Sequence, residues 1–125
     1  MPGSRYQPFE YLQIWKEAMQ LCVDVYRLFR DCREFGLRDQ VLKSAVSVPS
    51  NIAEGYERQS VKEFIRFLYI SKGSCGELRT QILIAISVGI ISDESGHMLI
   101  DKAKRISGMI QNLIKARRNR SVDST

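Results

Sequence analysis

An all-α, antiparallel up-down-up-down four-helix bundle is the fold class this sequence predicts, and three observations predict it. Apolar residues recur three and four positions apart through four successive segments, the period of one helix face. Between Phe9 and Arg120 only Pro49 would break a helix strongly. The links between segments are short, about four to six residues, which sets consecutive helices antiparallel. A chain of 125 residues fits one domain, which at this size buries roughly two thirds of its unfolded surface. It needs no disulfide or metal to fold.

Segment one spans about 9–32. One apolar row runs Leu12, Trp15, Met19, Cys22, Tyr26 and Phe29, and a second runs Ile14, Ala18, Leu21, Val25 and Leu28. Together they make a broad face of the kind a bundle helix buries. Gly36 offers a stop after it. Segment two spans about 37–56, with Val41, Ala45, Val48 and Ile52 on one face and Leu42, Val46, Pro49 and Ala53 on the next. These side chains are small, so a neighbouring helix can approach closely. A kink is expected at Pro49 and an end at Gly55.

Segment three spans about 60–88. Ser60 and Glu63 have capping-box spacing, with the hydroxyl accepting from an orphan N–H and the carboxylate reaching back to the cap. Gly73 and Gly76 sit mid-helix, each costing up to about 1 kcal/mol against alanine, which suggests a close contact with another backbone. Gly89 marks the end. Segment four spans about 92–118, with Asp93 and Glu94 in the first turn, where the helix dipole favours anions. Its stripe is Leu99, Ala103, Ile106, Ile110 and Leu113, widened by Met109 and Ile114. Residues 1–8 read as an N-terminal extension and 119–125 as a disordered tail.

Catalytic classes find little support. His97 is the sole histidine, which excludes a histidine-based triad or a multi-histidine metal site. Cys22, Cys32 and Cys75 form no CxxC pair, so neither a metal nor a cofactor is expected. No phosphate-binding glycine loop is present. Free thiols fit a reducing, cytoplasmic setting. The longest apolar run, 82–91, is interrupted by Ser87 and Gly89, so no membrane partner is expected.

Charge is informative in its distribution. The chain carries +5 overall. In segment four every charged residue from Lys102 to Arg120 is positive: Lys102, Lys104, Arg105, Lys115, Arg117, Arg118 and Arg120. Such a set either complements the helix dipole or binds a phosphate backbone. Helical geometry spreads it over a broad outer arc. The segment holds no aromatic residue, so contact is expected to be with phosphates, with little base stacking. The run Ile82, Leu83, Ile84 and Ile86 is apolar nearly all round, which predicts a second buried face and hence a subunit interface.

The middle of the chain is more specific. The stretch Ser47-Val48-Pro49-Ser50-Asn51-Ile52-Ala53-Glu54-Gly55-Tyr56-Glu57-Arg58 resembles a signature of bacterial four-helix-bundle proteins linked to 23S rRNA intervening sequences. The stretch from Glu63 through Phe64, Phe67, Gly73, Ser74 and Gly76 to Glu77 resembles that family's second signature. The resemblance runs from Phe9 to about Lys115. It implies a bundle that assembles as a ring of five. The related accessory proteins of diversity-generating retroelements are basic and associate with nucleic acid and a reverse transcriptase.

Within the signatures, Asn51 and Glu54 lie three apart on one helix side. They are either a polar recognition spot or partners for backbone groups disturbed by Pro49. Gly55, Arg58, Gly73, Ser74 and Glu77 share the same two readings. Two functions compete. One is a homo-oligomeric RNA- or DNA-binding accessory protein. The other is a structural or adaptor ring whose partner is a protein.

Overall fold

The computed structural model describes residues 8–123, with side chains through Arg120. A 3-10 turn at Phe9–Tyr11 leads into α1 (Gln13–Phe29), α2 (Phe35–Glu57), α3 (Val61–Ser87) and α4 (Asp93–Asp123). Each helix packs on its chain neighbour, and α1 closes the ring against α4. Cross-helix bonds fix the directions. Ser47 meets Ser74 and Val48 meets Ser71, so α2 and α3 run antiparallel. Lys72 meets Gln111 and Tyr69 meets Arg118, so α3 and α4 do too. Asp24 with Lys102 and Glu17 with Arg105 set α1 against α4 in the same sense.

The core follows the predicted rows, with a rotation in α1 and a shift at the end of α4, where Ile114 is buried and Leu113 half-buried. In α1 the Ile14, Ala18, Leu21 and Val25 row is buried, joined by Cys22 and Phe29, whereas Met19 and Tyr26 are exposed. The face is therefore centred on the second row. Val41, Ala45, Val48 and Ile52 of α2 meet Phe64, Leu68, Cys75, Leu78 and Ile82 of α3. Leu99, Ala103, Ile106, Ile110 and Ile114 of α4 complete the core. Each fully buried Leu or Ile contributes roughly 1.5–3 kcal/mol through removal from water.

Several boundaries differ from the sequence reading. Residues 9–12 form the short turn and its exit, so α1 starts at Gln13 and ends at Phe29. Gly36 lies in the first turn of α2 and stops nothing. α4 continues through Asp123, so 119–123 are helical where a disordered tail is expected; its last two positions, and 1–7 of the expected extension, lie outside the described residues. α2 runs unbroken through Pro49. The Asn51 amide donates to the Ser47 carbonyl at 2.8 Å, and the Ser71 hydroxyl donates to the Val48 carbonyl at 2.8 Å. Carbonyls one and two residues before the proline thus gain side-chain donors.

Two caps behave as their sequences predict, one only in part. Gly89 takes φ +80, the Ile90 N–H bonds the Ala85 carbonyl and the Gly89 N–H bonds the Ile86 carbonyl. That is the paired closure of a left-handed C-terminal cap, which glycine adopts without a Cβ penalty. The Ser60 hydroxyl accepts from the Glu63 N–H at 3.3 Å. The Glu63 carboxylate, however, bonds Arg66 and pairs with Arg58 instead of returning to the cap.

The close-contact role expected of Gly73 and Gly76 is overturned. Gly73 is exposed, Gly76 half-buried, and a Cβ at either meets nothing within 4 Å. The tight glycine is Gly55, where a Cβ would stand 2.6 Å from that of Phe67. Gly73→Ala and Gly76→Ala are therefore expected to raise stability, each by about 0.5–1 kcal/mol, through helix propensity alone. Thermal melts check this; a loss of stability in both variants would restore the packing role.

Candidate nucleic-acid interface

α4 delivers its seven basic residues to three places. Lys102 and Arg105 turn toward α1. Lys102 Nζ lies 2.7 Å from Asp24, and Arg105 bonds both carboxylate oxygens of Glu17, at 2.8 and 3.2 Å. The Arg105 bonds hold the Glu17 carboxyl below its usual range against the opposing effect of burial, with Gln13 assisting. Burial pushes Asp24 up, but its bonds to Lys102 and Gln20 outweigh that and leave it lowered. These two cations pair with α1 across the bundle, so the basic residues of α4 are divided among different surroundings. Lys104 is exposed and carries no ion pair among the described residues, but it stands roughly 16 Å along the axis from Lys115.

A depressed carboxyl contributes stability that is full above its unfolded pKa and is lost as pH falls through the folded one. The joint variant Lys102→Gln and Arg105→Gln is thus expected to melt lower than wild type at neutral pH. The two melting curves should converge as pH drops below the ordinary values of 4.5 for Glu17 and 3.8 for Asp24. Nucleic-acid affinity should change by no more than about twofold, since these cations release few counterions. A gap in melting temperature that persists in strong acid would mean the side chains act through packing.

The last basic residues form the third group, at the end of the bundle where α2 hands over to α3. Arg117 lies over the Phe64 ring at 5.2 Å, and Arg118 lies over Tyr69 at 5.9 Å while donating to its hydroxyl at 3.0 Å. From the other side of the same end, Arg58 and Arg66 lie over Phe67 at 5.1 and 4.5 Å. Four guanidiniums thus rest on three aromatic rings, an arrangement in which the ring face attracts the cation and holds its plane. Arg58 and Arg66 are also paired with Glu54 and Glu63. Arg117 and Arg118 have no carboxylate partner among the described residues. Burial, reinforced by the nearby Arg120 charge, holds Arg117 below the usual guanidinium value. It still carries its charge at any physiological pH. Lys115 sits one turn before Arg118 and Arg120 one turn after Arg117, both exposed.

The signature residues explain why this end exists. Gly55 continues the buried row of α2, and its missing side chain lets the α2 terminus lie on Phe67 and Phe64. That contact brings Tyr56 edge-on to Phe64, with ring centres 5.7 Å apart. Tyr56, Phe64, Val61, Gln59, Ser60 and Arg117 then enclose a cavity of about 180 Å³. Gln59 has φ 58, a left-handed conformation that is uncommon outside glycine. Asn51 is structural: its amide donates to the Ser47 hydroxyl as well as the Ser47 carbonyl, and Ser47 in turn bonds Ser74 at 2.7 Å. Glu77 lies elsewhere, beside Lys43 and Gln81 on the α2–α3 groove.

Segment four offers no aromatic residue of its own; the fold supplies the rings from α2 and α3. Tyr56, Gln59, Phe64 and Tyr69 are residues of this end that the sequence does not mark as a site. Tyr56 stands inside the quoted signature and so carried a signal, whereas the backbone of Gln59 carried none.

The apolar run at the end of α3 also divides. Ile82 is fully buried in the core and cannot meet another subunit. Ile86 is half-buried and packs on Gly96 of α4. Leu83 and Ile84 are each 47% exposed, with Val88 and Met98 exposed nearby along the chain turn. His97 is exposed, its Nδ1 3.0 Å from the Asp93 carbonyl.

Helices arranged in this way define an all-α four-helix bundle with an arginine–aromatic cluster at one end. The chain belongs to the 23S rRNA-intervening sequence protein family, whose model matches residues 10–112. Lys115, Arg117, Arg118 and Arg120 lie beyond that match. A solved structure from Bacteroides thetaiotaomicron, a protein of unknown function from the S23 ribosomal protein family, has the same fold. It is 23% identical, with a TM-score of 0.77, covering 82% of this chain and 98% of its own. No curated protein matches the chain. No helix among the described residues is long and apolar enough to cross a membrane.

Proposed function

We propose that this protein is a non-catalytic, oligomeric nucleic-acid-binding accessory protein, with RNA as its main partner. The observation that carries this reading is the placement of Arg117 and Arg118. They are held in place on aromatic rings and, among the described residues, left without acids, with Lys115 and Arg120 exposed beside them. Guanidiniums fixed in this manner match phosphate oxygens in two-pronged geometry and lose little freedom on binding. RNA is favoured over DNA by the family's connection to 23S rRNA.

Assembly is part of the same proposal. Leu83 and Ile84 give a subunit something to bury, and a ring of five would multiply the +5 of one chain into a strong positive field. A cytoplasmic setting is supported by three free thiols, of which Cys75 is pushed up to about 11 by burial. The test is a gel-retardation series with RNA and DNA at low salt, run beside light scattering. Retarded complexes and a mass near five times 14.4 kDa are expected. Failure to retard any nucleic acid would pass the protein to the adaptor reading, with a protein as partner.

A further inference from the structure

The cavity at the α2–α3 handover has features that a phosphate-binding surface alone does not require. Its walls are an aromatic pair, Tyr56 and Phe64, and the planar Arg117 guanidinium lying over Phe64. Val61 adds apolar surface, 39% exposed at the rim. Gln59 and Ser60 add an amide and a hydroxyl. At about 180 Å³ the cavity is smaller than the roughly 300–1,000 Å³ of ordinary small-molecule pockets. A whole dinucleotide does not fit there; one flat ring does.

We propose that this cavity receives a single unstacked base of a single-stranded nucleic acid, so that the protein selects single strands over duplex. The proposal rests on the nucleic-acid reading and sharpens it. A base entering the cavity would lie against the outer plane of the Arg117 guanidinium, whose other side rests on the buried Phe64 ring, with Tyr56, Gln59 and Ser60 in the same wall to meet its edge. The adjoining phosphates would meet Arg118 and Arg120 outside. Paired bases keep their faces stacked on one another, so a duplex can use only the outer cations. The left-handed Gln59 fits this picture. Glycine would close the end of α2 with less strain, yet a side chain able to donate and accept stands there.

The test compares a labelled oligouridylate with an RNA hairpin of the same nucleotide count by fluorescence anisotropy at one salt concentration. Wild type is expected to bind the single strand about tenfold more tightly. Arg117→Lys keeps the charge but loses the planar stack. It should lower single-strand affinity by about tenfold and hairpin affinity by a smaller factor, since a hairpin loses one two-pronged phosphate contact but no stacked base. Gln59→Gly relieves the left-handed strain, so it should melt about 2–4 °C higher while binding the single strand several-fold more weakly. Equal affinity of wild type for both RNAs, or unchanged single-strand affinity in both variants, overturns the proposal and leaves phosphate binding standing. Absence of binding to either RNA overturns both.

Discussion

Gly55→Ala is expected to destabilise the bundle by about 2–3 kcal/mol, near the upper end of ordinary overpacking. The added carbon would stand 2.6 Å from Phe67 Cβ and 3.2 Å from Phe64 Cδ1. Phe67 Cβ is fixed to the α3 backbone and cannot swing aside, so the two helices must part. Phe64 and Phe67 are both buried, and their displacement would expose apolar surface as well. A thermal melt should fall by roughly 10 °C. Gly96→Ala makes a useful contrast. Its Cβ would press on the side chain of Ile86, which can turn away in part, so a smaller loss is expected. Because Gly55 also seats Tyr56 against Phe64, Gly55→Ala should weaken nucleic-acid binding under conditions where the protein remains folded. A Gly55→Ala protein that melts like wild type would show that α2 and α3 have slack at this point.

The second large effect concerns the partner. Replacing Lys115, Arg117 and Arg118 together with glutamine removes three cations from the end cluster. Each phosphate contact on a single strand contributes about 0.7 to the slope of log affinity against log salt. Losing three should flatten that slope by about 2 and lower affinity about 100-fold at 0.1 M salt. The mass by light scattering should stay as in wild type, since Leu83 and Ile84 occur in a different part of the chain, at the end of α3. Glutamine keeps much of the aliphatic stem, so the variant should fold, which a melt verifies. An unchanged salt slope would mean that these residues only complement the α4 dipole.

The fold was legible because periodicity alone carries it. In α2 the row Val41, Ala45, Val48 and Ile52 is buried and Val46 of the next row is exposed, and in α4 the predicted row is buried as far as Ile110, after which Ile114 takes the place of Leu113. In α1 two adjacent rows were visible, and which one faces inward depends on neighbours that no local pattern encodes. The glycines show a similar limit, together with a signal that was there to read. Gly55 continues the spacing of Val41, Ala45, Val48 and Ile52 and so belongs on the inner face. Gly73 falls off the row formed by Phe64, Leu68, Ser71, Cys75 and Leu78, and it points outward. Leu83 and Ile84 are off that row as well, whereas Ile82 is on it.

The site was harder to read because it is built across helices. Lys102 meets Asp24, and Arg105 meets Glu17, over sequence separations of 78 and 88. Those pairings turn two members of a continuous basic stretch into bundle clasps. The aromatic surfaces beneath Arg117 and Arg118 likewise come from another helix. Charge content was visible in the sequence; which charges remain available was decided by packing.

The location of the bound strand is the point on which the functional reading turns, and photo-cross-linking measures it. RNA carrying 4-thiouridine would be irradiated with the wild-type protein and the attached peptides located by mass spectrometry. Cross-links at Tyr56, Phe64 or Tyr69, reduced in the Lys115, Arg117 and Arg118 variant, are the expected result. Cross-links confined to α1 or to the face holding Lys102 and Arg105, or none at all, would contradict it.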